Sequence, residues 1–171
     1  MTQATASDLS FTFDVDRTPL EAYAAVTDPR AWWSRTITGD TDRIGGDFEY
    51  EVPGVHYSKI RVTELEPGMR VVWRVIDAHM TFIADPTEWN DTEIRFELEP
   101  TATGTRVRFT HLGLTPEVEC YDACNTAWGS YIGTSLRARI ADGVGSPNQE
   151  RAGGRLEQEA DDRREEAAQR G

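Results

Sequence analysis

The sequence predicts an α+β domain in which a curved antiparallel sheet of about six strands wraps around one long C-terminal helix. Apolar and polar residues alternate in several short segments between residues 10 and 111, as in strands that bury one face. Between residues 115 and 142 the apolar spacing changes to threes and fours, which indicates an amphipathic helix. The length of 171 residues suits a single domain.

The first predicted elements are a strand and two short helices. Every second residue is apolar in residues 10–16, the period of a half-buried strand. Thr18, Pro19 and Glu21 then match an N-cap, a first-turn proline and a capping box. This helix is expected to end before the next proline, and residues 30–35 are expected to form one further turn.

The middle of the chain is expected to supply the rest of the sheet. The predicted strands cover residues 47–52, 57–66, 70–78, 92–100 and 105–111. Pro67-Gly68 and residues 101–104 have the composition of hairpin turns. Because one face of these strands is apolar and the other carries charges, the sheet requires a cover on one side.

The final helix is predicted to provide that cover. Thr115 and Pro116 resemble an N-cap and a first-turn proline, and Gly143 is placed to end the helix after residue 142. The domain is expected to span residues 8–147. Residues 148–171 are expected to form a disordered acidic tail, because Leu156 is the only large apolar residue between residues 155 and 170.

Charge and composition argue against several partners. The formal net charge is −12 without a basic cluster, so nucleic acid is not an expected partner. No apolar stretch is long enough for a membrane span or a signal peptide, so a cytoplasmic protein is expected. Cys120 and Cys124 lie four residues apart without neighbouring ligands. We expect buried thiols, no metal and no cofactor.

Several segments resemble the bacterial homologues of the heat-shock protein 90 ATPase activator C-terminal domain, within the START-like or SRPBCC superfamily. The resemblance runs over residues 11–147 and is carried by residues 32–34, 45–50, 66–73, 88–89, 109–114 and 119–124. It implies a helix-grip (START-like, Bet v 1-like) fold with a cavity between the final helix and the concave sheet. The superfamily includes carriers of hydrophobic ligands, polyketide cyclases and co-chaperone domains, so the fold alone does not fix the chemistry.

Aromatic residues on the inward faces, with one histidine, are the candidate ligand-binding residues. They are Trp32, Trp33, Phe48, Tyr50, Trp73, Phe96, Phe109, His111, Tyr121 and Trp128, with Trp32 and Trp33 placed at the mouth. Such residues build the walls of small-molecule pockets. They are equally typical of a filled core, and the sequence leaves both alternatives open.

Three residues are candidates for proton transfer. His111 continues an inward strand face, where it would orient a ligand or act as a general base. The alternative is a core histidine whose hydrogen bonds are made by the backbone or by a neighbouring tyrosine hydroxyl. Asp77 and His79 would share an inward face if their strand continues in register. His56 and His79 lie at strand ends and are otherwise interpreted as surface residues, and Glu88 is expected to be solvated.

The favoured function is a module that binds a small hydrophobic or aromatic molecule under the final helix. One alternative is a polyketide cyclase- or dehydratase-like enzyme that uses the same cavity. A third is a chaperone-associated interaction domain, which follows only from the resemblance. The sequence contains no phosphate-binding loop and no nucleophile or metalloprotease motif, so no catalytic residue is assigned.

Overall fold

The computed structural model of the chain describes residues 8–148. The strands within this range are β1 (Leu9–Val15), β2 (Thr38–Gly39), β3 (Asp47–Val52), β4 (His56–Glu66), β5 (Arg70–Met80), β6 (Glu93–Pro100) and β7 (Thr105–Leu112). The helical elements are α1 (Pro19–Val26), a 3₁₀ turn (Pro29–Ala31), α2 (Tyr121–Ser130), a π-helical segment (Tyr131–Leu136) and α3 (Arg137–Asp142). The last three elements are continuous and are together called the final helix.

The strands form one antiparallel sheet in the order β1-β7-β6-β5-β4-β3-β2. The predicted α+β architecture is therefore confirmed, including the two short helical elements after the first strand. The strand that the sequence did not predict is β2, which has only two residues and so cannot show an alternating pattern. The inward face of the sheet is covered by the final helix, and the core lies between them.

The first helix begins where the sequence predicts. The Glu21 backbone N–H donates to Thr18 Oγ1 at 3.2 Å, and the Thr18 backbone N–H donates to Glu21 Oε1 at 3.2 Å. This reciprocal pair is the capping box, which satisfies two of the backbone donors that a helix start leaves free.

The final helix begins later than predicted, and the expected start at Thr115 is wrong. Residues 115–120 form turns, and the helix starts at Tyr121. The N–H groups of Glu119 and Cys120 donate to the Glu88 carboxylate at 2.8 and 3.0 Å. A side chain from a distant loop therefore satisfies the donors that a local cap was expected to satisfy.

The buried stripe of the final helix has a strict spacing of four residues. Its members are Cys124, Trp128, Ile132, Leu136 and Ile140. In a regular α-helix each step of four residues advances by about 40°, so such a stripe would drift away from the core. The π-helical segment lies in the middle of the stripe and widens the helix there, which keeps all five residues buried.

Among residues 8–148 no helix is long and apolar enough to cross a membrane.

The described chain ends at Asn148. Asn148, the first residue of the predicted tail, is buried, and its N–H donates to the Trp33 carbonyl at 2.9 Å. The other residues of that tail, and the prediction that it is disordered, lie outside the described residues.

Candidate functional site

A groove of about 480 Å³ runs between the final helix and the end of the sheet where β3 turns into β4. Small residues of α2, among them Ala123 and Ala127, form one wall, and Val52 and Val55 lie on the other. Phe82 stands at the rim and is 47% exposed. None of the described residues that line the groove is Asp, Glu, Lys or Arg. The groove is thus a concave, mainly apolar and uncharged surface.

The groove continues inward into a smaller cavity of about 50 Å³. Tyr50, His56, Cys124, Ala127 and Tyr131 line both spaces. The inner walls are completed by Trp33, Trp89 and Trp128. A space of this size holds a water molecule or a small substituent, but not a whole ligand.

Most of the predicted ligand-binding residues lie in a packed interior. Nine of the ten are buried: Trp32, Trp33, Phe48, Tyr50, Trp73, Phe96, Phe109, His111 and Trp128. Ring centroids lie 4.9 Å apart for Trp73 and Phe96 and 4.8 Å apart for Phe109 and Trp128. The rings therefore fill the space beneath the final helix. Tyr121 is partly buried at the start of that helix.

Only part of the predicted set borders the two spaces. Tyr50 lines both of them, whereas Trp33 and Trp128 line the inner cavity. The expected position of Trp32 at the mouth is wrong, because its ring is fully buried and its Nε1 donates to the Ala25 carbonyl at 3.0 Å. A ligand-binding role for the set stays a prediction.

His111 faces inward, as the alternation in its strand predicts, and is fully buried. Trp128 Nε1 donates to His111 Nδ1 at 3.2 Å, and because an indole N–H only donates, this contact makes Nδ1 an acceptor. The proton is therefore on Nε2, which donates to Thr92 Oγ1 at 2.8 Å. Thr92 Oγ1 in turn donates to the Trp89 carbonyl at 2.6 Å.

This chain of hydrogen bonds uses both ring nitrogens of His111. Burial, with a smaller contribution from nearby His56, lowers the pKa of His111 to about 3. The ring is consequently neutral at pH 7. Among the described residues it lines neither the groove nor the inner cavity. The arrangement favours the interpretation of His111 as a satisfied core residue.

Asp77 and His79 do not face the interior, and the expectation of an inward acid/base pair is wrong. The pairing of β4 with β5 shifts by one residue between Lys59 and Ile60, which places a bulge at Ile76. Because a bulge reverses the alternation, Ala78 and Met80 point inward beyond it. Asp77 and His79 are both exposed on the outer face.

His56 is the histidine that lines the groove, where it is half-buried rather than fully on the surface as expected. Its ring contacts Tyr50 at 5.3 Å and Trp89 at 4.6 Å, and its Nε2 is hydrogen-bonded to Ser58 Oγ. Burial lowers the pKa of His56 to about 4, so it too is neutral at pH 7. The alternation of β4 continues from Ile60 through Ser58 to His56, and this signal would have found it.

The loop before β6 supplies two residues whose roles the sequence did not indicate. Trp89 is buried and stacks on Trp128 with ring centroids 6.0 Å apart and an interplanar angle of 8°. Glu88 was expected to be solvated, but its carboxylate accepts hydrogen bonds from the backbone N–H groups of Glu119 and Cys120. The loop therefore fixes both the inner cavity wall and the start of the final helix.

The polar end of the groove consists of two tyrosines and Asn148. Asn148 Nδ2 donates to the Tyr131 hydroxyl at 3.2 Å. Burial, together with the nearby Tyr131 hydroxyl, raises the pKa of Tyr50 well above its ordinary value. Asn148 is 7% exposed, and its Oδ1 has no hydrogen-bond partner among residues 8–148. The end of the groove is thus uncharged at pH 7 and carries an unused acceptor.

The two cysteines are buried and free of disulfide bonds. A hydrogen bond from the Cys120 thiol to the Cys124 sulfur raises the pKa of Cys120 and lowers that of Cys124. Cys124 lines the groove and the inner cavity, and Cys120 lines neither. Within residues 8–148 no group of three or more His, Cys, Asp or Glu side chains could hold a metal ion.

Two other concave surfaces differ from the groove in being charged. One of about 240 Å³ lies near Arg70, Glu97 and Arg106. Another of about 490 Å³ lies near Asp28 and Arg139. The first combines three arginines with two glutamates, and the second combines three arginines with one aspartate. Such charged surfaces are common where a protein is solvated. The groove beside the final helix is therefore the candidate site.

Comparisons with solved structures give the same fold. The solution structure of the Aha1 dimer from Colwellia psychrerythraea is 27% identical, with a TM-score of 0.66, and the match covers 81% of this chain and 98% of that one. Protein MLL2253 from Mesorhizobium loti is 18% identical, with a TM-score of 0.61, over 78% of this chain and 95% of that one. DynU16, from the dynemicin biosynthetic locus, is 17% identical, with a TM-score of 0.61, over 82% of this chain and 49% of that one.

The family comparison covers most of the chain. No curated protein matches the sequence. The model of the family described as "Activator of Hsp90 ATPase homolog 1-like protein" matches residues 16–141. This range contains every strand after β1 and all of the final helix except its last residue. The chain therefore belongs to the activator of Hsp90 ATPase homolog 1-like family, within the START-like SRPBCC superfamily.

Proposed function

We propose that the chain binds a small apolar or aromatic ligand in the groove beside the final helix. The observation that carries the proposal is the lack of Asp, Glu, Lys and Arg among the described residues that line the groove, in a chain of which 28% of residues are charged. Ligand sites are typically concave and apolar with a few polar groups, and enclose about 300–1,000 Å³. The groove, at about 480 Å³, fits that description.

The proposed position of the ligand differs from the space directly beneath the helix. Packed aromatic rings fill that space, so the body of the ligand would lie in the groove against Ala123, Ala127 and Val55. A small substituent would enter the inner cavity between Trp33 and Trp128. This arrangement places indole rings within contact distance of the bound molecule.

Binding is favoured over catalysis because the candidate proton-transfer groups are poorly placed. His111 has both ring nitrogens bonded within the core, and Asp77 and His79 point away from the groove. His56 does line the groove, but with a pKa of about 4 it is a weak base at pH 7. A cyclase-like activity and a chaperone contact, which the resemblance implies, remain predictions without a residue to carry them.

The proposal is tested with the uncharged fluorescent probe N-phenyl-1-naphthylamine, whose emission rises in apolar surroundings. Ala127 lies on the groove wall and is exposed, so Ala127→Phe should place a ring in the groove without disturbing the core. We expect this change to weaken probe binding at least tenfold. Asn125→Phe adds the same ring to an exposed position of α2 outside the groove and should leave binding unchanged.

The outcomes separate the groove from other apolar surfaces. Equal binding to the wild type and to Ala127→Phe would refute the groove as the site. Loss of binding in Asn125→Phe as well would show that the helix as a whole, rather than the groove, had been disturbed. Mass spectrometry of the natively purified protein would then identify any apolar compound that the wild type retains and Ala127→Phe does not.

A further inference from the structure

The backbone of Asn148 is held at the polar end of the groove. Its backbone N–H donates to the Trp33 carbonyl at 2.9 Å, and residue 148 forms a parallel bridge with Ser34. Its side chain lines the groove and is more than nine-tenths buried. The backbone of Asn148 is therefore fixed beside the groove, with its side chain at the groove wall.

The amide is used on one side only. Nδ2 donates to the Tyr131 hydroxyl at 3.2 Å. Oδ1 has no partner among the described residues and almost no surface accessible to water, so a donor in the groove reaches it when the side chain turns about its own bonds. A buried acceptor that is left unpaired is destabilising, so a group that donates to it is favoured.

The surroundings restrict which donor can approach. An ammonium or guanidinium group would enter a groove in which the described lining offers no carboxylate, and a ligand carboxylate would meet no cation. Either ion would lose its hydration without a paired charge, which is unfavourable. An uncharged donor, such as a hydroxyl group, does not incur this cost. The remaining walls are apolar and suit a hydrocarbon or aromatic body.

We propose that the groove selects uncharged apolar compounds that carry a hydroxyl group, and that this hydroxyl donates a hydrogen bond to Asn148 Oδ1. This inference rests on the proposed function and names the chemical class of its ligand. The hydroxyl of an alcohol or a phenol supplies the missing donor, while the rest of the molecule contacts Ala123, Ala127 and Val55.

The test compares 2-naphthol with its methyl ether, 2-methoxynaphthalene. The two compounds share an aromatic body, but only 2-naphthol can donate a hydrogen bond. Dissociation constants are measured by titration of the ¹⁵N-labelled full chain in heteronuclear NMR spectra, which also locate the perturbed residues. We expect 2-naphthol to bind the wild type about tenfold more tightly, as one ordinary hydrogen bond would give.

Substitutions then assign the preference to one atom. Asn148→Leu removes Oδ1 and should abolish the preference, whereas Asn125→Leu makes the same change at an exposed site of α2 and should retain it. Tyr131→Phe removes the partner of Nδ2 but leaves Oδ1, so the preference should persist. If Asn148→Leu fails to fold, Tyr131→Phe still tests the proposal, because loss of the preference in Tyr131→Phe would contradict it.

The failures of the two proposals are distinguishable. The hydrogen bond from the ligand hydroxyl to Asn148 Oδ1 is refuted if both naphthalene compounds bind the wild type equally, or if the preference survives Asn148→Leu. Ligand binding in the groove is not refuted by either result. If the methyl ether binds more tightly, the amide presents its N–H groups instead, and the inference is wrong. If neither compound shifts resonances of groove residues, the proposed function itself fails.

Discussion

Lowering the pH from 7 to 5 should destabilise this protein through His111. The ordinary pKa of a histidine is 6.5, and burial lowers the pKa of His111 to about 3 in the folded state. Between these two values the unfolded chain binds a proton that the folded chain does not bind. The stability that His111 contributes is therefore fully present above pH 6.5 and is lost as the pH falls toward 3.

The size of the effect follows from the two pKa values. For a group that titrates at 6.5 when unfolded and at about 3 when folded, the free energy of unfolding decreases by about 2 kcal/mol between pH 7 and pH 5. His56, whose pKa is lowered to about 4, changes the stability in the same direction. Asp47 does not contribute between pH 7 and pH 5, because its hydrogen-bonded ion pair with Arg61 lowers the pKa of its carboxyl below the ordinary value of 3.8.

Urea unfolding at pH 7 and pH 5, followed by tryptophan fluorescence, measures this difference. His111→Gln should destabilise the protein at pH 7 but reduce its loss between pH 7 and 5 by about 2 kcal/mol. His79→Gln, at an exposed histidine, is the matched control and should leave the wild-type difference unchanged. This account of His111 would be refuted if the wild type lost less than about 0.5 kcal/mol between pH 7 and pH 5. It would also be refuted if both substitutions reduced that loss equally.

Three further changes test the packing of the domain. In urea unfolding, Trp128→Ala should cost about 3–5 kcal/mol. Trp128→Phe keeps an aromatic ring but removes the donor to His111 and part of the indole, and should cost about 1–3 kcal/mol; a loss below about 0.5 kcal/mol in Trp128→Phe would contradict the hydrogen bond. Glu88→Ala should cost about 1–2 kcal/mol by freeing the start of the final helix, whereas Glu99→Ala, at an exposed carboxylate, should cost under about 0.5 kcal/mol. Deleting residues 149–171 should change the calorimetric midpoint by less than about 4 °C, and removing Asn148 as well should lower it further; a larger drop from the first deletion would show that the tail packs.

The elements that depend on local pattern could be predicted from the sequence. Alternation in β1, β3 and β7 identifies the inward faces, and it places His111 in the interior correctly. The capping box at Thr18 is complete within four residues, so its signal is entirely local. Burial of the aromatic residues follows from the same alternation.

The parts that could not be predicted depend on contacts between distant segments. The bulge at Ile76 has no glycine or proline to mark it, and it reverses the faces of Asp77 and His79. The start of the final helix depends on Glu88, which lies more than thirty residues earlier in the chain. Asn148 reaches the groove only because the end of the described chain returns to Trp33.

The π-helical segment gives the final helix one residue more than its length requires. Twelve residues separate Trp128 from Ile140, and in a regular α-helix these two side chains would point about 120° apart. Eleven residues would bring them within about 20° of each other, so a chain shorter by one residue could bury the same stripe as a plain α-helix. The additional residue is thus unnecessary for the core. Tyr131 is the first residue of this segment and accepts a hydrogen bond from Asn148, so the consequence of the surplus residue is seen at the groove rather than in the core.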